Sequence, residues 1–523
     1  MASILGLLLG LVACAPDKPS SGTPQGGPDD PAVPDELLGL ANIDDDDMNG
    51  VIDWDDVGAP DDNDLFPLPL PTADGPVELQ LTGDPTDIRV WLDGAVVLDA
   101  TTTETTVEPA DASSVLLVEF AGFLDSAAIS MVSDHFEATV PLLSAPLILN
   151  NHHQASEQEL AMSAPGAGGN TAFVTGFQDV LGDDLLTAPL NRYGGDVWIQ
   201  DEIEFATLTV PDHRMDVVID SIRTNDGTAL DKFAENLLQE PDVAVATWGG
   251  GMASSQDSFG NLEVTPPITV DGVVYPYGRI YYGQGYDGHL TAKLATMLAD
   301  QRVQSPFVVD TSFMCVGHVD EFMTFVPDDT APKGFRLLYA DTGLAYAFLE
   351  TLDPGMEIPK YQSGHGYSTI GEILDDETLR DYNESLQADG LDPALVTVMQ
   401  DANLDLDDII FIPALFERVG WCNGTGLSLI PGTINMTIYT QPDGEVHAFI
   451  ADPFLRGTDQ GQEDDPFIAE IESLLPKGLH THWLDDWQNY HLMMGEVHCG
   501  SNTRRTPTAT WWDEGRHLLG ATP

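Results

Sequence analysis

Trp198-Ile199-Gln200-Asp201-Glu202-Ile203-Glu204-Phe205 is the stretch on which the reading of this 523-residue chain turns. It reads as a strand, in which alternate side chains share a face, so Gln200, Glu202 and Glu204 point one way and Asp201 the other. One octapeptide then has two tasks. The oxygen donors on the even face suit a hard cation, while the lone Asp201 enters a pocket on the opposite side. Taken singly, each acid is equally well a surface charge or a structural acceptor, so the weight comes from what the rest of the chain carries.

Two distant stretches complement it. Val316-Gly317-His318-Val319-Asp320-Glu321-Phe322 places His318 and Asp320 two residues apart, on one face if extended, and a carboxylate beside an imidazole keeps it oriented as a proton donor. Gly495-Glu496-Val497-His498-Cys499-Gly500-Ser501-Asn502-Thr503-Arg504-Arg505 offers a cysteine with room for a substrate atom beside Gly500. A thiolate attacks carbon far better than a hydroxyl, which makes Cys499 the candidate nucleophile; an isolated cysteine is otherwise a small buried hydrophobe.

Around these stretches, residues 141–523 alternate apolar strand-like runs (Leu147-Ile148-Leu149, Val217-Val218-Ile219, Ala244-Val245-Ala246, Phe307-Val308-Val309, Phe335 to Tyr339) with helical patterns over 229–238, 290–300, 377–388, 393–399 and 466–475. No strict repeat appears, yet strand-rich units punctuated by helices recur, which predicts one large α/β domain. Before it, residues 75–140 carry short alternating runs separated by turns such as Gly83-Asp84-Pro85 and Asp93-Gly94, the pattern of an antiparallel sandwich.

Lys and Arg total 19 against 86 Asp and Glu, a formal charge of -67, so nucleic acid and anionic membrane surfaces repel the body of the protein and cations are its natural partners. Much of this acidity is expected to be solvated surface. Residues 1–14 read as a signal segment ending in Leu11-Val12-Ala13-Cys14, a sequence similar to a bacterial lipoprotein cleavage box, although no Lys or Arg precedes the apolar run. That predicts export, to the cell envelope or the medium, with a membrane contact only through a lipid on Cys14. Residues 15–36, rich in proline, read as a tether. Cys315, Cys422 and Cys499 remain; the first two either bridge or stay buried thiols.

The acids concentrate over Asn42-Ile43-Asp44-Asp45-Asp46-Asp47-Met48-Asn49-Gly50-Val51-Ile52-Asp53-Trp54-Asp55-Asp56. Counted from Asp45, the spacing is that of a calcium loop: Asp45, Asp47 and Asn49 at positions one, three and five, Gly50 at six, the Val51 carbonyl at seven and Asp53 at nine. Asp56 takes position twelve in place of the usual Glu, and Val57-Gly58-Ala59-Pro60 breaks the helix expected next. The alternative is an acidic linker.

A pocket with two carboxylates, an imidazole and a thiol suits a planar cation. Paired N–H to oxygen bonds grip a guanidinium, the thiolate adds to its carbon, His318 protonates the departing ammonia, and Trp198 stacks on the cation or its stem. At these residues the chain resembles the calcium-dependent protein-arginine deiminases. Trp198 to Glu204, Val316 to Phe322 and Glu496 to Asn502 look like that family's signature stretches, and Asp257 to Val264 and Lys333 to Leu338 match it in the same order.

The resemblance implies a five-bladed α/β-propeller (pentein) catalytic domain over 141–523, preceded by an immunoglobulin-like calcium-binding domain over 37–140. It implies catalytic roles for Asp201, His318, Asp320 and Cys499, and substrate contacts from Trp198, Arg223 and Val316. One calcium ion would take Gln200, Glu204, Glu263 and the backbone oxygens of Phe259 and Leu262. A second would take Glu202, Asp220, Ser221 and Asn225, and Asn42, Asp44 and Asp46 would serve others. The chain departs from the family at Asp220-Ser221-Ile222-Arg223-Thr224-Asn225-Asp226, which keeps only Arg223 of an Asp-Ser-x-Arg-x-Arg pattern, and at Met493-Met494, a mouth position that is basic in some relatives. The extra N-terminal domain of the vertebrate enzymes has no room here, so a monomer is expected. The expected activity is calcium-dependent conversion of arginine in proteins or peptides to citrulline; the competing readings are a deiminase or amidinotransferase for small guanidino compounds, and a non-catalytic calcium-binding surface lipoprotein.

Overall fold

The structure is a computed structural model that describes residues 33–56, 64–70, 75–108, 114–224, 229–286, 288–507 and 510–520. The signal segment, nearly all of the tether, Val57-Gly58-Ala59-Pro60 and Asn225 lie outside the described residues.

The chain divides into two compact units, one comprising residues 67–118 and 126–142 with the N-terminal stretch to Leu37, the other 38–66, 119–125 and 143–523. The acidic stretch from Asn42 groups with the larger unit because its contacts lie there: Asn42 donates to Glu119 (2.9 Å), Gln239 to Asp45 (3.2 Å), and the Asp242 backbone N–H to Asp46 (3.1 Å).

The smaller unit is all β. Its strands are β1 (Val77–Gly83), β2 (Ile88–Leu92), β3 (Ala95–Leu98), β4 (Glu104–Val107), β5 (Val115–Phe120), β6 (Ser126–Val132) and β7 (Glu137–Ser144). They form two sheets containing the orders β7-β6-β1-β4 and β5-β2-β3. In β1, Val77, Leu79 and Leu81 are buried while Glu78 and Gln80 are exposed, the alternation of a sheet with one wet face.

In the larger unit, β8 (Ile148–Leu149) and β9 (Ser156–Ser163) are followed by α1 (Thr171–Leu181), which crosses to β10 (Leu185–Pro189), parallel to β9. One helical turn, α2 (Ile199–Glu202), leads into the hairpin β11 (Ile203–Val210) and β12 (His213–Asp220); α3 (Phe233–Leu237) then crosses to β13 (Val243–Ala246), parallel to β12. The same wiring returns three times. Antiparallel β14 (Leu262–Val264) and β15 (Ile280–Gln284) are followed by α4 (Ala292–Asp300) and parallel β16 (Phe307–Asp310). Antiparallel β17 (Met323–Pro327) and β18 (Phe335–Asp341) are followed by α5 (Thr342–Leu349), α6 (Pro359–Gly364), α7 (Ile370–Asp375), α8 (Glu377–Leu386) and α9 (Asp392–Asp401), then parallel β19 (Ile409–Pro413). Antiparallel β20 (Thr437–Thr440) and β21 (Val446–Ala451) are followed by α10 (Pro466–Leu474) and parallel β22 (Leu479–Leu484). Finally β23 (Ser501–Arg505) runs antiparallel to β9, so the first sheet acquires the same pattern by joining distant parts of the chain.

The larger unit is therefore mixed α/β, with five sheets sharing one wiring. Its central strands are near-continuous apolar runs because both faces are covered, as in β11, where seven of eight residues are buried. α1 shows the complementary pattern, with Phe173, Phe177 and Leu181 buried at four-residue spacing. α10 starts where Asp465 accepts the backbone N–H groups of Phe467 and Ile468, with Pro466 at the first helical position. Among the described residues no helix is long and apolar enough to cross a membrane.

Candidate active site

The strand expected over 198–205 begins only at Ile203. Residues 199–202 make one helical turn because the buried Ile199 and Ile203 lie four apart, a helical spacing, and the Gln200 N–H donates to the Cys499 carbonyl (3.3 Å). The turn brings Gln200 and Glu204 together, with the amide 2.9 Å from the carboxylate. The extended pairing of His318 and Asp320 is likewise replaced by a short 3-10 turn over Val319–Glu321. Glu321 closes it by accepting the N–H groups of Gly317 (2.8 Å) and His318 (3.0 Å), and Gly317 occupies a positive φ of 84° that only glycine adopts cheaply.

Cys499, 6% exposed, ends up among Asp320 and Asn435. Its Sγ is 3.5 Å from Asp320 Oδ2 and 3.3 Å from the Asn435 amide nitrogen, and its backbone N–H donates to Asn435 Oδ1 (3.2 Å). Burial, then the charges of Asp320 and Asp201, push the thiol well above its ordinary range. His318 is fixed by its Nε2, 2.9 Å from the Ser255 carbonyl, which leaves Nδ1 3.6 Å from Asp201 Oδ1. Asp201 is held above its ordinary range by burial, although His318 and Arg223 pull it down.

Three polar atoms surround one point. A Cβ on Gly260 would stand 2.8 Å from His318 Nδ1, 3.0 Å from Asp320 Oδ2 and 3.2 Å from Asp201 Oδ1, so only glycine leaves that space open. Among the described residues, Asp201 Oδ1, Asp320 Oδ1 and His318 Nδ1 are buried without a hydrogen-bond partner, a costly arrangement that a ligand rich in N–H donors relieves. A cavity of about 150 Å³ reaches Cys499 and Asn435 and is walled by Glu321, His365, His491 and Met494.

The substrate candidates distribute differently. Trp198 packs where a Cβ on Gly495 would meet its ring at 2.4 Å, beside Cys499. Val316 is half-buried and its carbonyl accepts from Ser255 (2.6 Å). Arg223 is paired with Asp196 (3.0 Å) and Glu202 (3.1 Å), so its fork is already occupied.

The cation candidates fall into three groups. Glu204 and Glu263 share a cavity of about 30 Å³ with Gln200, whose amide also lies 3.4 Å from the Phe259 carbonyl. Burial, and for Glu204 the charge of Glu263, raise these acids to about 8 and about 7 respectively. Leu262 follows in β14, at the start of the strand that holds Glu263. In the second group Asp220 rises to about 8 through burial and the charges of Glu202 and Glu235, while Ser221 donates to the Asp257 carbonyl (2.6 Å). In the third, ligand atoms of Asp44, Asp46 and Asp242 lie within 4.8 Å of one another, as do those of Asp46, Asp53 and Asp64. Asp44 is raised to about 7 by burial and by Asp46.

In the stretch counted from Asp45 the side chains hydrogen-bond within the loop. Asp45 accepts the N–H groups of Asn49 (2.9 Å) and Gly50 (2.8 Å), Asp47 accepts that of Asn49 (3.0 Å), and the Asn49 amide donates to Asp56 (2.7 Å). Those side chains build the turn, while Asp44 and Asp46, one residue out of step with them, and Asp53, a member of that count, supply the converging acids, with Asn42 beside Glu119. The donor sets fit hard divalent cations, since they are oxygen-rich and buried, and Asp44, Asp220 and Glu263 each have an oxygen without a hydrogen-bond partner among the described residues.

Asn435, His498, Gly260, Glu235 and Asp242 contribute without a role in the sequence reading. His498 was legible as a neighbour of Cys499. Burial alone would lower its pKa, but Glu263, Asp320 and Glu204 raise it to about 9. Asn435 stands alone in Gly432-Thr433-Ile434-Asn435 with nothing nearby to mark it. Cys315 and Cys422, left open by the sequence, form a disulfide.

A profile of the protein-arginine deiminase family matches residues 134–513. The chain is 33% identical over 350 residues to protein-arginine deiminase type-4 of Rattus norvegicus, covering 63% of this chain and 49% of that protein. It is 31% identical over 370 residues to the type-3 protein of Homo sapiens, covering 66% and 52%. The chain thus spans about half the length of the curated relatives it matches. Among solved structures, an agmatine deiminase of Enterococcus faecalis aligns over 69% of this chain and 96% of its own at a TM-score of 0.41 and 10% identity.

Proposed function

Because the chain belongs to the protein-arginine deiminase family, we propose that it hydrolyses the guanidinium of arginine in proteins or peptides to citrulline and ammonia, in a calcium-dependent manner. The observation that carries this reading is the set of buried unpartnered atoms, Asp201 Oδ1, Asp320 Oδ1 and His318 Nδ1, next to the Cys499 sulfur. A guanidinium brings planar N–H donors and a positive charge to the two carboxylates, with the His318 nitrogen beside them to exchange protons. It also offsets the two carboxylates that keep the thiol protonated, so the nucleophile ionises when its substrate is bound.

The chemistry balances on this chain's residues. The Cys499 thiol passes its proton to His318 and its sulfur bonds to the guanidinium carbon, giving a tetrahedral adduct. The C–N bond to one terminal nitrogen breaks as His318 supplies a proton, ammonia leaves, and an S-alkyl thiouronium remains. His318 then takes a proton from water, the oxygen adds to the same carbon, and the C–S bond breaks to release the ureido group and the thiolate. Asp201 and Asp320 orient the nitrogens throughout. Calcium held by Gln200, Glu204, Glu263 and the carbonyls of Phe259 and Leu262, by Glu202, Asp220 and Ser221, and by the acids around Asp44 would neutralise carboxylates that otherwise repel one another across the pocket's support.

The five identically wired sheets support a five-bladed α/β-propeller, and the two-sheet smaller unit supports an immunoglobulin-like domain. The Cys315–Cys422 disulfide supports an exported, oxidising setting. Citrulline release from a blocked arginyl amide and from free arginine, each in excess calcium and in excess chelator, tests the function. Turnover of the blocked substrate with calcium alone is expected. Turnover of free arginine alone would move the reading to small guanidino compounds, and silence in all four samples would overturn it.

A further inference from the structure

The sheet β20-β21-β22 carries a second concentration of metal-binding side chains that shares no residue with Cys499, Asp320, His318 or Asp201. His447 of β21 lies directly opposite His480 of the parallel β22, and His482 follows two residues later on the same face. Glu445 stands two residues before His447, in the turn that enters β21. The His447 ring packs between the other two, with centroids 5.5 Å from His480 and 5.2 Å from His482.

We propose that Glu445, His447 and His480 bind one first-row transition-metal ion, zinc being the best match, with His482 orienting His447. The contacts of His447 set its useful nitrogen. Its Nδ1 is 2.9 Å from His482 Nε2, and its Nε2 is 2.9 Å from the Gln441 amide nitrogen, a group that only donates. The lone pair therefore sits on Nε2, where it accepts the Gln441 N–H until an ion displaces that amide, and the proton sits on Nδ1, where it is donated to His482. A metal-binding imidazole is oriented in this way, by a second partner on its other nitrogen.

Glu445 Oε1 is 3.5 Å from His447 Nε2 and 3.5 Å from His480 Nε2. Around a tetrahedral zinc with bonds near 2.0–2.1 Å, neighbouring ligand atoms stand about 3.3 Å apart. The carboxylate is thus already at the right separation from both nitrogens. The His480 side chain is 57% exposed, so its ring turns onto the ion without disturbing the core, whereas His447 is buried and fixed. Three protein ligands leave a fourth position for water. Two imidazoles favour zinc, copper or nickel over calcium, which the oxygen-only groups elsewhere prefer, and a formal charge of -67 draws any cation to the surface.

The test is zinc binding to the full-length protein in excess calcium, with wild type, Cys499→Ala, His480→Ala and Glu445→Gln compared by zinc content after dialysis and by titration calorimetry. Both substituted positions of the site are on the surface, and unchanged melting without zinc checks that the variants are folded. Wild type and Cys499→Ala are expected to hold one more zinc than His480→Ala or Glu445→Gln, with affinity at this site falling more than about 100-fold in those two variants, beyond the loss typical of orienting partners. Cobalt(II) bound to wild type should show a ligand-field band that both variants lose. Equal zinc content in all four proteins, or no zinc retained by wild type, would overturn the proposal.

Discussion

Nδ1 of His498 lies 2.9 Å from Oδ2 of Asp320. On its other side Nε2 is 3.5 Å from Oε1 of Glu263, so one buried ring links the carboxylate beside Cys499 to the acid that shares a cavity with Glu204. Replacing His498 by Ala should lower kcat by about 10–100-fold, the usual cost of losing an orienting partner, with a smaller effect on KM. Asn, which keeps a donor near the Nδ1 position, should recover part of it. Steady-state citrulline release separates the two variants, and a His498→Ala enzyme with wild-type kcat would remove His498 from the positioning of Asp320.

Cys499→Ala should lower turnover by about 10⁴-fold or more while leaving calcium stoichiometry intact, since among the described residues Cys499 is the free cysteine. Residual turnover near wild type would displace the sulfur from the reaction.

The thiol itself offers a second handle. Because burial and the charges of Asp320 and Asp201 hold it well above its usual range, iodoacetamide should alkylate the free protein slowly at neutral pH and faster as pH rises. A bound guanidinium compound too short to react should raise the rate at neutral pH if it offsets those carboxylates without blocking access. A pH-independent alkylation rate would contradict this electrostatic account.

Cation binding should depend on pH. Glu204 and Asp220 are raised to about 8, Glu263 and Asp44 to about 7. Between the ordinary carboxylate range and these values the folded, metal-free protein holds more protons than the unfolded chain, so its stability falls as pH rises through that window. Calcium displaces those protons, so its affinity rises over the same window and levels off above about pH 8. Calcium titrations and melting curves at several pH values check both slopes; flat curves would detach these acids from the cation.

Reducing the Cys315–Cys422 bridge, or replacing both residues by Ser, should cost stability. It closes a loop of 107 residues, which corresponds to about 4–5 kcal/mol in the chain-entropy account. Cys315 is three residues from His318, so the same treatment should weaken kcat before the protein melts. Equal activity and melting with and without reductant would show the bridge to be neutral.

The four candidate catalytic side chains, Asp201, His318, Asp320 and Cys499, were legible because each sits in a short segment dense in unusual chemistry, and the fold brings them near one another. Their local conformations were not. Ile199 and Ile203 satisfy both a two-residue and a four-residue period, and only tertiary packing decides for the helical turn. The acids from Asp44 to Asp56 were recognised as a group, but which members turn inward depends on Asp45 capping its own loop. Ser126–Val132 escaped as a strand because Ala127, Ala128 and the serines carry little β preference. Asn435 and Asp242 reach their partners across long stretches of chain that no local pattern records.

The partnership of β23 with β9 bears on how the protein is made. Cys499 precedes β23 by two residues, and that strand completes a sheet begun some 340 residues earlier, as Thr503 reaching Glu159 illustrates. On the ribosome, the folded sheets around Asp201 and His318 emerge long before the sulfur does. A chain cut short before residue 499 thus carries the acids and the imidazole without the sulfur that completes their cluster.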